Sequence, residues 1–595
     1  MIRVRKQIHF DRVGLLMVVF FVIGAAIVAR LFYLQIIKGK LWQVAAEEQH
    51  KIEQVLLQRR GEIFMTNYRD DSLLPAVINR RLSLVYAVPN EISNPKMTAE
   101  ILADILKDSQ GECAVMLLQG SAEELIAKCE EKKKFAEEVY EKTKKKNDPY
   151  EPLMHNVSEE LVSKIKDSNL EGIYFEDEWV RFYPESESLA QVTGFLGYAG
   201  DRRVGQYGIE GYFEDDLAGE AGKLLGDKDL FGRLIPVASS ELVQARDGAN
   251  IVLTIDKAIQ NKAYEIIKEA VAAYGAESGS ILVMDPQSGE IRAMAGYPSF
   301  DPNRYNEVDN IKVYRNLNTS EAYEPGSVFK IITMAAGLDT MAVEPDTTYE
   351  DTGSVMIGEE VIRNAANKVY GMVNMTGVLE NSINCGAVYV ALKTGHEKFG
   401  DYVKKFGFGQ VTDIELTGES VGDISSLKKK GDIYAATAAF GQGITVTPLQ
   451  LAQAFSTIVN NGKTVKPHII DYAKSEIEEK INDSQQVISE KTAQVLKAMM
   501  VSVVENGHSK GAQIAGYHIG GKTGTAEIAG QGGYTSENNH TFAGFGPLEN
   551  TKFVIVVKLI KPKSGKFAES TAVPTFTKMA SFLLQYYQLP PEYTP

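Results

Sequence analysis

Glu324-Pro325-Gly326-Ser327-Val328-Phe329-Lys330-Ile331-Ile332-Thr333-Met334-Ala335-Ala336 reads as a turn opening an apolar helix. Pro and Gly ahead of an apolar run place Ser327 at the helix start. Residues three apart on a helix share a face, so the Lys330 amine is in reach of the Ser327 hydroxyl. A helix N-terminus also leaves backbone N–H groups unpaired beside a positive dipole end, where one of them can hold an oxyanion. A serine hydroxyl is a poor nucleophile until a base takes its proton. Lysine serves as that base only when burial or a neighbouring cation lowers its pKa. Ser-x-x-Lys alone says little, because it recurs at Ser93/Lys96, Ser163/Lys166, Ser425/Lys428 and Ser426/Lys429. Only the copy at Ser327 follows Pro-Gly and opens a long apolar helix.

Two more segments carry matching chemistry. Ser382-Ile383-Asn384 precedes a helical run from Cys385 through Leu392. It supplies a second hydroxyl and an amide, and an ordinary helix N-cap is its competing reading. Lys522-Thr523-Gly524-Thr525 lies in a Gly-rich, strand-like segment. A strand lining a cleft offers the Lys522 charge, the Thr523 and Thr525 hydroxyls for a carboxylate, a Thr525 N–H, and Gly524 for close approach of a substrate backbone. A second copy, Lys393-Thr394-Gly395, reads as a helix C-terminus. Gly418-Glu419-Ser420-Val421-Gly422 has the pattern of a hydrolase elbow, but loop-like sequence follows instead of the required helix.

Around these segments the chain has 595 residues, 44% hydrophobic and 24% charged, with a net charge of −15. This length exceeds the roughly 250–300 residues at which single cores split, so at least two folded domains are expected. The acidic balance argues against nucleic acid as a partner. Cys113, Cys129 and Cys385 give no disulfide framework, though one bond between Cys113 and Cys129 is open. The eight histidines are scattered and no metal-ligand spacing occurs, so no metal and no cofactor is expected.

Val13 to Ala29 is an unbroken run of apolar and small residues, and Leu31 to Ile37 extends its character past Arg30. This fits a spanning helix of roughly 17–25 residues. The basic leader Arg3, Arg5, Lys6 and Arg12 favours an inside N-terminus and an extracytoplasmic bulk. A cleaved signal peptide is the competing reading, and it also exports the large region. Leu41 to Leu57 is expected to be helical, and residues 99–146 form a charged helical insert. After Asp247-Gly248 come a strand at Val252–Asp256, a helix at Ala258–Tyr274, a hairpin over Gly279–Ala295, a late strand at Thr551–Ile560 and a closing helix at Val573–Tyr586. Strands at both ends with helices between give an α+β fold, an antiparallel sheet covered by helices.

The order Ser-x-x-Lys, Ser-x-Asn, Lys-Thr-Gly resembles that of the penicillin-recognising serine enzymes. The likeness extends to Val283-Met284-Asp285-Pro286 with Gly289-Glu290-Ile291-Arg292-Ala293-Met294, to Tyr297-Pro298-Ser299-Phe300-Asp301-Pro302-Asn303, and to Phe406-Gly407-Phe408-Gly409. It further includes Gly441-Gln442-Gly443 with Thr447-Pro448-Leu449-Gln450, and His540-Thr541-Phe542-Ala543-Gly544-Phe545. Arg60-Gly61-Glu62-Ile63, Arg181-Phe182-Tyr183-Pro184 and Gly208-Ile209-Glu210-Gly211 are similar to pedestal motifs of the class B penicillin-binding proteins. Phe64-Met65-Thr66-Asn67 departs from that family's usual continuation.

The resemblance implies a leader at 1–12, a transmembrane helix at 13–37, an elongated α+β pedestal (dimerisation-type) domain at 38–245 and a penicillin-binding transpeptidase domain at 246–595. It implies a membrane-anchored D,D-transpeptidase of the division (FtsI-like) type, with an elongation role as the alternative. A non-catalytic scaffold or β-lactam receptor is the other rival, although Ser327, Lys330 and Lys522 are all present. By the same resemblance Ser327 is the nucleophile, Lys330 its base, and Ser382 a proton relay tuned by Lys522. Asn384 holds the donor peptide, Thr523 and Thr525 grip its carboxylate beside Gly524, and no cofactor is needed. The implied partners are stem peptides ending in D-Ala-D-Ala, β-lactams, the cytoplasmic membrane, a SEDS-family glycosyltransferase and other division proteins.

Overall fold

The computed structural model describes residues 12–40, 51–56, 58–107, 123–200, 202–227, 241–477, 484–530 and 533–594. The chain forms two compact units, Met1–Arg59 with Gly219–Gly248, and Arg60–Ala218 with Ala249–Pro595.

In the first unit, an α-helix over Arg12–Phe32 continues through a π-helical turn at Tyr33–Ile37. Together they make one 26-residue apolar segment, long and apolar enough to cross a membrane. Arg30 and Lys38 each lie 5.6 Å from the Tyr33 ring, so two cations and an aromatic gather at its end. Lys51–Leu56 is a strand, paired antiparallel with Gly222–Asp227, which pairs in turn with Glu241–Val243. This corrects the helix expected over Leu41–Leu57 for its described part; residues 41–50 and 57 lie outside the described residues. The partner strand lies far along the chain, so pairing overrides the local helical preference.

In the second unit, a mixed sheet has Ile251–Asp256 parallel to Ile63–Thr66, which is antiparallel to the 15-residue strand Leu73–Ala87. That long strand also pairs with Glu151–Val157 and Ile173–Phe182. Strand Ile63–Thr66 forms despite the unusual sequence that follows Ile63. Helices Pro95–Lys107 and Glu123–Thr143 cover part of this sheet, burying Leu102, Phe135 and Val139 against Val85 and Ala87. They are the described parts of the expected helical insert. Cys129 is engaged in a disulfide, while Cys113 lies outside the described residues. Near this sheet Glu210 is fully buried between Arg60 and Arg181, whose Nε atoms donate to it at 2.7 and 2.6 Å.

The larger sheet has five antiparallel strands: β1 (Ser278–Met284), β2 (Ile291–Tyr297), β3 (Gly520–Gly530), β4 (Gly533–Gly546) and β5 (Phe553–Ile560). Their order is β2-β1-β5-β4-β3, which leaves β3 on an edge. Along β5, Val554 and Val556 enter one apolar layer and Ile555 and Val557 the other. Both faces are therefore covered, as the unbroken apolar run of this strand requires. Helices α1 (Lys257–Tyr274) and α6 (Ala572–Tyr586) pack on one face. On the other lie α2 (Lys330–Asp339), α3 (Asn384–Thr394), α4 (Pro448–Val459) and α5 (Glu490–Glu505). The expected α+β architecture, hairpin and closing helix are all observed.

Candidate active site

Ser327 lies in a 3-10 turn over Gly326–Phe329, and α2 begins at Lys330. The nucleophile candidate thus precedes the α-helix that sequence placed it on. Gly326 takes φ +59°, a left-handed conformation open to glycine at no steric cost. The turn rests on edge strand β3: a Cβ on Gly524 would lie 2.4 Å from Pro325 O and 2.8 Å from Val328 Cγ2. Gly524 therefore admits the protein's own nucleophile turn, where the sequence had suggested room for a substrate backbone.

The three predicted segments meet at one hydroxyl. Lys522 Nζ donates to Ser382 Oγ at 3.0 Å, and Lys330 Nζ lies 3.2 Å from the same atom. Lys330 Nζ also reaches Ser382 O at 2.5 Å and Asn384 Oδ1 at 2.7 Å. Asn384 Nδ2 donates to Arg363 O at 3.0 Å, which turns its carbonyl oxygen to the lysine. Ser382 itself has φ +52°, and the cap position of α3 is Ile383, without a side-chain cap. The N-cap reading of Ser382 is thereby replaced: its hydroxyl serves the two amines, and a strained backbone holds it there.

Both lysines are buried, Lys330 at 1% and Lys522 at 0% exposure. Burial holds Lys330 well below the ordinary lysine value, and the neighbouring Lys522 charge pushes the same way. Burial lowers Lys522 to about 8, against a smaller upward pull from Glu569. Two adjacent buried cations are costly, so the pair divides naturally into a neutral Lys330 and a charged Lys522. Neutral Lys330 has two N–H protons and one lone pair. Ser382 O and Asn384 Oδ1 take the protons, leaving the lone pair for a hydroxyl proton.

Thr523 is buried with its hydroxyl 3.4 Å from Lys522 Nζ, and Thr525 Oγ1 accepts from Ala568 N at 3.1 Å. Among the described residues no acceptor takes the Thr525 hydroxyl proton, so it can serve an acceptor beside β3. Sequence reasoning missed the segment around Ala568, along with His508 and Glu569, whose Nδ1 and Oε1 lie 3.6 Å apart. Glu569 raises Lys522 through space and the two lysines lower the His508 ring, and no short pattern advertises either residue.

The remaining candidates fall elsewhere. Lys393-Thr394-Gly395 ends α3, with Gly395 at φ +89°, as the structural reading required. Ser420 sits in a loop, its Oγ accepting from Gly422 N, and no helix follows it directly. Among the described residues, no group of three or more His, Cys, Asp or Glu gathers to hold a metal ion. Cys385 is buried and free.

Comparison with known proteins matches residues 279–580 to the penicillin binding protein transpeptidase domain and residues 58–253 to the penicillin-binding protein dimerisation domain. Stage V sporulation protein D of Bacillus subtilis is 33% identical, over 96% of this chain and 84% of its own. Peptidoglycan D,D-transpeptidase FtsI of Escherichia coli is 31% identical, over 74% of this chain and 73% of its own. Penicillin binding protein 3 from Mycobacterium tuberculosis, solved with aztreonam, covers 91% of this chain and 98% of its own at 24% identity, with a TM-score of 0.66.

Proposed function

The chain belongs to the penicillin-binding protein transpeptidase family, class B and FtsI type, and from that membership we propose how its residues act and where. It is a serine peptidoglycan D,D-transpeptidase. The observation that carries the residue roles is the convergence of Lys330 and Lys522 on Ser382 Oγ, beside the turn that bears Ser327.

In our reading the donor stem peptide lies extended along edge strand β3, whose outer backbone row has no partner strand among the described residues. Thr523 and Thr525 hold its terminal carboxylate next to the Lys522 charge, and Asn384 holds a stem amide. Neutral Lys330 takes the Ser327 proton as Ser327 Oγ attacks the penultimate D-Ala carbonyl. The N–H groups of Ser327 and Thr525 stabilise the oxyanion, a contribution of about 2.7–4 kcal/mol per donor. Ser382 passes a proton to the departing D-Ala amine, and the C–N bond breaks to leave an acyl ester on Ser327. An amine of a neighbouring stem then attacks the ester, forming the cross-link amide and restoring the serine. β-Lactams acylate the same hydroxyl.

The placement we favour has residues 1–12 inside, 13–37 in the cytoplasmic membrane, and 38–245 and 246–595 outside. The division septum is its site, with a SEDS-family glycosyltransferase and other division proteins as partners. The Stage V sporulation relative carries a second reading, in which the septal wall is that of a sporulating cell. Localisation of a fluorescent fusion in growing and in sporulating cells separates the two.

The test of the chemistry is labelling of the full chain, in detergent, with a fluorescent penicillin. Wild type becomes covalently labelled and Ser327→Ala does not; equal labelling of both overturns the assignment.

A further inference from the structure

Two adjacent residues at the end of a strand bind two adjacent residues at the start of α3. Arg363 O accepts from Asn384 Nδ2 at 3.0 Å, and Asn364 Oδ1 accepts from Cys385 N at 3.0 Å. The first N–H groups of a helix have no partner within the helix, and Ile383 offers no side-chain cap. Asn364 supplies that cap from outside the helix. Its own amide is oriented by Asp351 together with a backbone carbonyl: Asn364 Nδ2 donates to both Asp351 oxygens at 2.9 Å and to Lys368 O at 3.1 Å. Asp351 and Asn364 are 1% and 4% exposed.

Asp351 also accepts from Tyr370 N at 2.9 Å and from Tyr349 Oη at 3.0 Å. Among the described residues, no cation lies within ion-pair distance of this carboxylate. A buried charge held by neutral donors alone is a costly way to satisfy a polar pocket, and a neutral amide would fill the same space. What the carboxylate has and an amide lacks is one-sidedness. It only accepts, so it forces the NH2 end of Asn364 inward and the oxygen outward to Cys385 N. We propose that Asp351 and Asn364 are positioning residues for the transpeptidase reaction, a buried carboxylate–amide pair that locks the start of α3 so that Asn384 Oδ1 meets Lys330 Nζ.

This inference rests on Lys330 acting as the base toward Ser327. Loosening α3 withdraws one acceptor from Lys330 and lets water reach it. Hydration raises a lysine pKa toward its ordinary value, so less neutral amine remains at a given pH. Lys330 is faced by Lys522 and Cys385, and neither residue is replaced in the variants that follow; the Asp351 charge also raises the Cys385 thiol, and the swap keeps a charge beside it.

The test measures the acylation rate of the full chain by a fluorescent penicillin from pH 5 to 10, for wild type, Asp351→Asn, and the swap Asp351→Asn with Asn364→Asp. In the swap a carboxylate at 364 accepts from Cys385 N and from the new amide at 351, so one-sidedness is restored and only the bond to Lys368 O is given up. The expected result for Asp351→Asn is a loss of about 10–100-fold at pH 7, the scale of a small misplacement of a catalytic group. Its rise with pH is displaced to higher pH, which loss of folded protein alone does not produce. The swap returns to within about 3-fold of wild type. Asp351→Asn acylating at the wild-type rate overturns the proposal, as does a swap that stays slow or does not fold. Labelling of Ser327→Ala, by contrast, would sink the nucleophile assignment itself and leaves a different mark from either result.

Discussion

Lys330 Nζ and Lys522 Nζ converge on one oxygen, Ser382 Oγ, at 3.2 and 3.0 Å. Neither amine is accessible to bulk water. One hydroxyl between two amines makes a proton path whose direction depends on which amine is charged, and burial sets that.

A two-sided pH dependence follows. Lys330, held well below the ordinary lysine value, is the amine of the two that burial and the neighbouring charge favour as neutral, and so the one able to accept a proton. As pH falls through its depressed pKa the base is lost and acylation slows. Lys522, lowered to about 8, keeps its positive charge below that value and loses it above. Binding of a carboxylate should then weaken as pH rises past about 8. Acylation of the full chain by penicillin is expected to decline above that point, and Lys522→Ala to be slow at every pH without that decline. A wild-type rate that climbs steadily from pH 7 to pH 10 is incompatible with a charged Lys522 on the substrate carboxylate.

Ser382→Ala removes the shared oxygen and leaves the backbone carbonyl that Lys330 also uses. Acylation is expected to fall by about 10²–10⁴-fold, the usual worth of a positioned proton-transfer group. The melting temperature should change little, because the hydroxyl is partly exposed and fills no core. Stopped-flow acylation with differential scanning calorimetry checks both. A rate within a factor of three of wild type would show that Ser382 holds the amines without moving a proton.

How far the sequence could be read depended on the range of the interactions. Ser327, Lys330 and Lys522 were legible as candidates because each sits in a short segment whose residue types suit a nucleophile, a base and a charge, and the structure brings both lysines to one hydroxyl. Ser382 was ambiguous in isolation: a serine before a helix is usually a cap, and only its φ of +52° and the two lysines decide otherwise. Asp351 and Asn364 were invisible, since they sit among short strands with no periodic pattern and act on a helix in a later segment. The strand Lys51–Leu56 was misread because its partner Gly222–Asp227 lies far along the chain. The hairpin β1–β2 was recovered because its turn, Asp285-Pro286-Gln287-Ser288-Gly289, is local, with Gly289 at φ +89°.

Gly524→Ala tests the seating of the nucleophile turn. The new Cβ would meet Pro325 O at 2.4 Å and Val328 Cγ2 at 2.8 Å, both in the Ser327 turn. Backbone cannot yield there without moving Ser327. The substitution is expected to cost about 1–3 kcal/mol, as overpacking does. Acylation should fall by more than the loss of folded protein accounts for. Denaturant titration and penicillin labelling, taken on one preparation, give the two numbers. Unchanged labelling would mean that the turn can shift away from β3 and still react.

Glu210 makes the sharpest stability prediction. Its carboxylate is fully buried and takes charged hydrogen bonds from Arg60 and Arg181 and one from Tyr183 Oη at 3.2 Å. Burial pulls its pKa up, but the two arginines overcome this and hold it below the ordinary carboxylate value. A depressed folded-state pKa contributes stability that is present above the unfolded value and lost as pH falls through the folded one. Unfolding should therefore become easier on acidification below about pH 4.3. Glu210→Ala leaves Arg181 buried without its anion, and breaking such a pair costs about 3–5 kcal/mol. Glu210→Gln keeps the shape and part of the hydrogen bonding, so it should lose less than Glu210→Ala and no longer contribute its share of the acid sensitivity. Urea unfolding at pH 7 and pH 4 resolves the pair: equal midpoints for wild type and Glu210→Ala at pH 7 would show that the two arginines find other partners and that the cluster adds nothing to the fold.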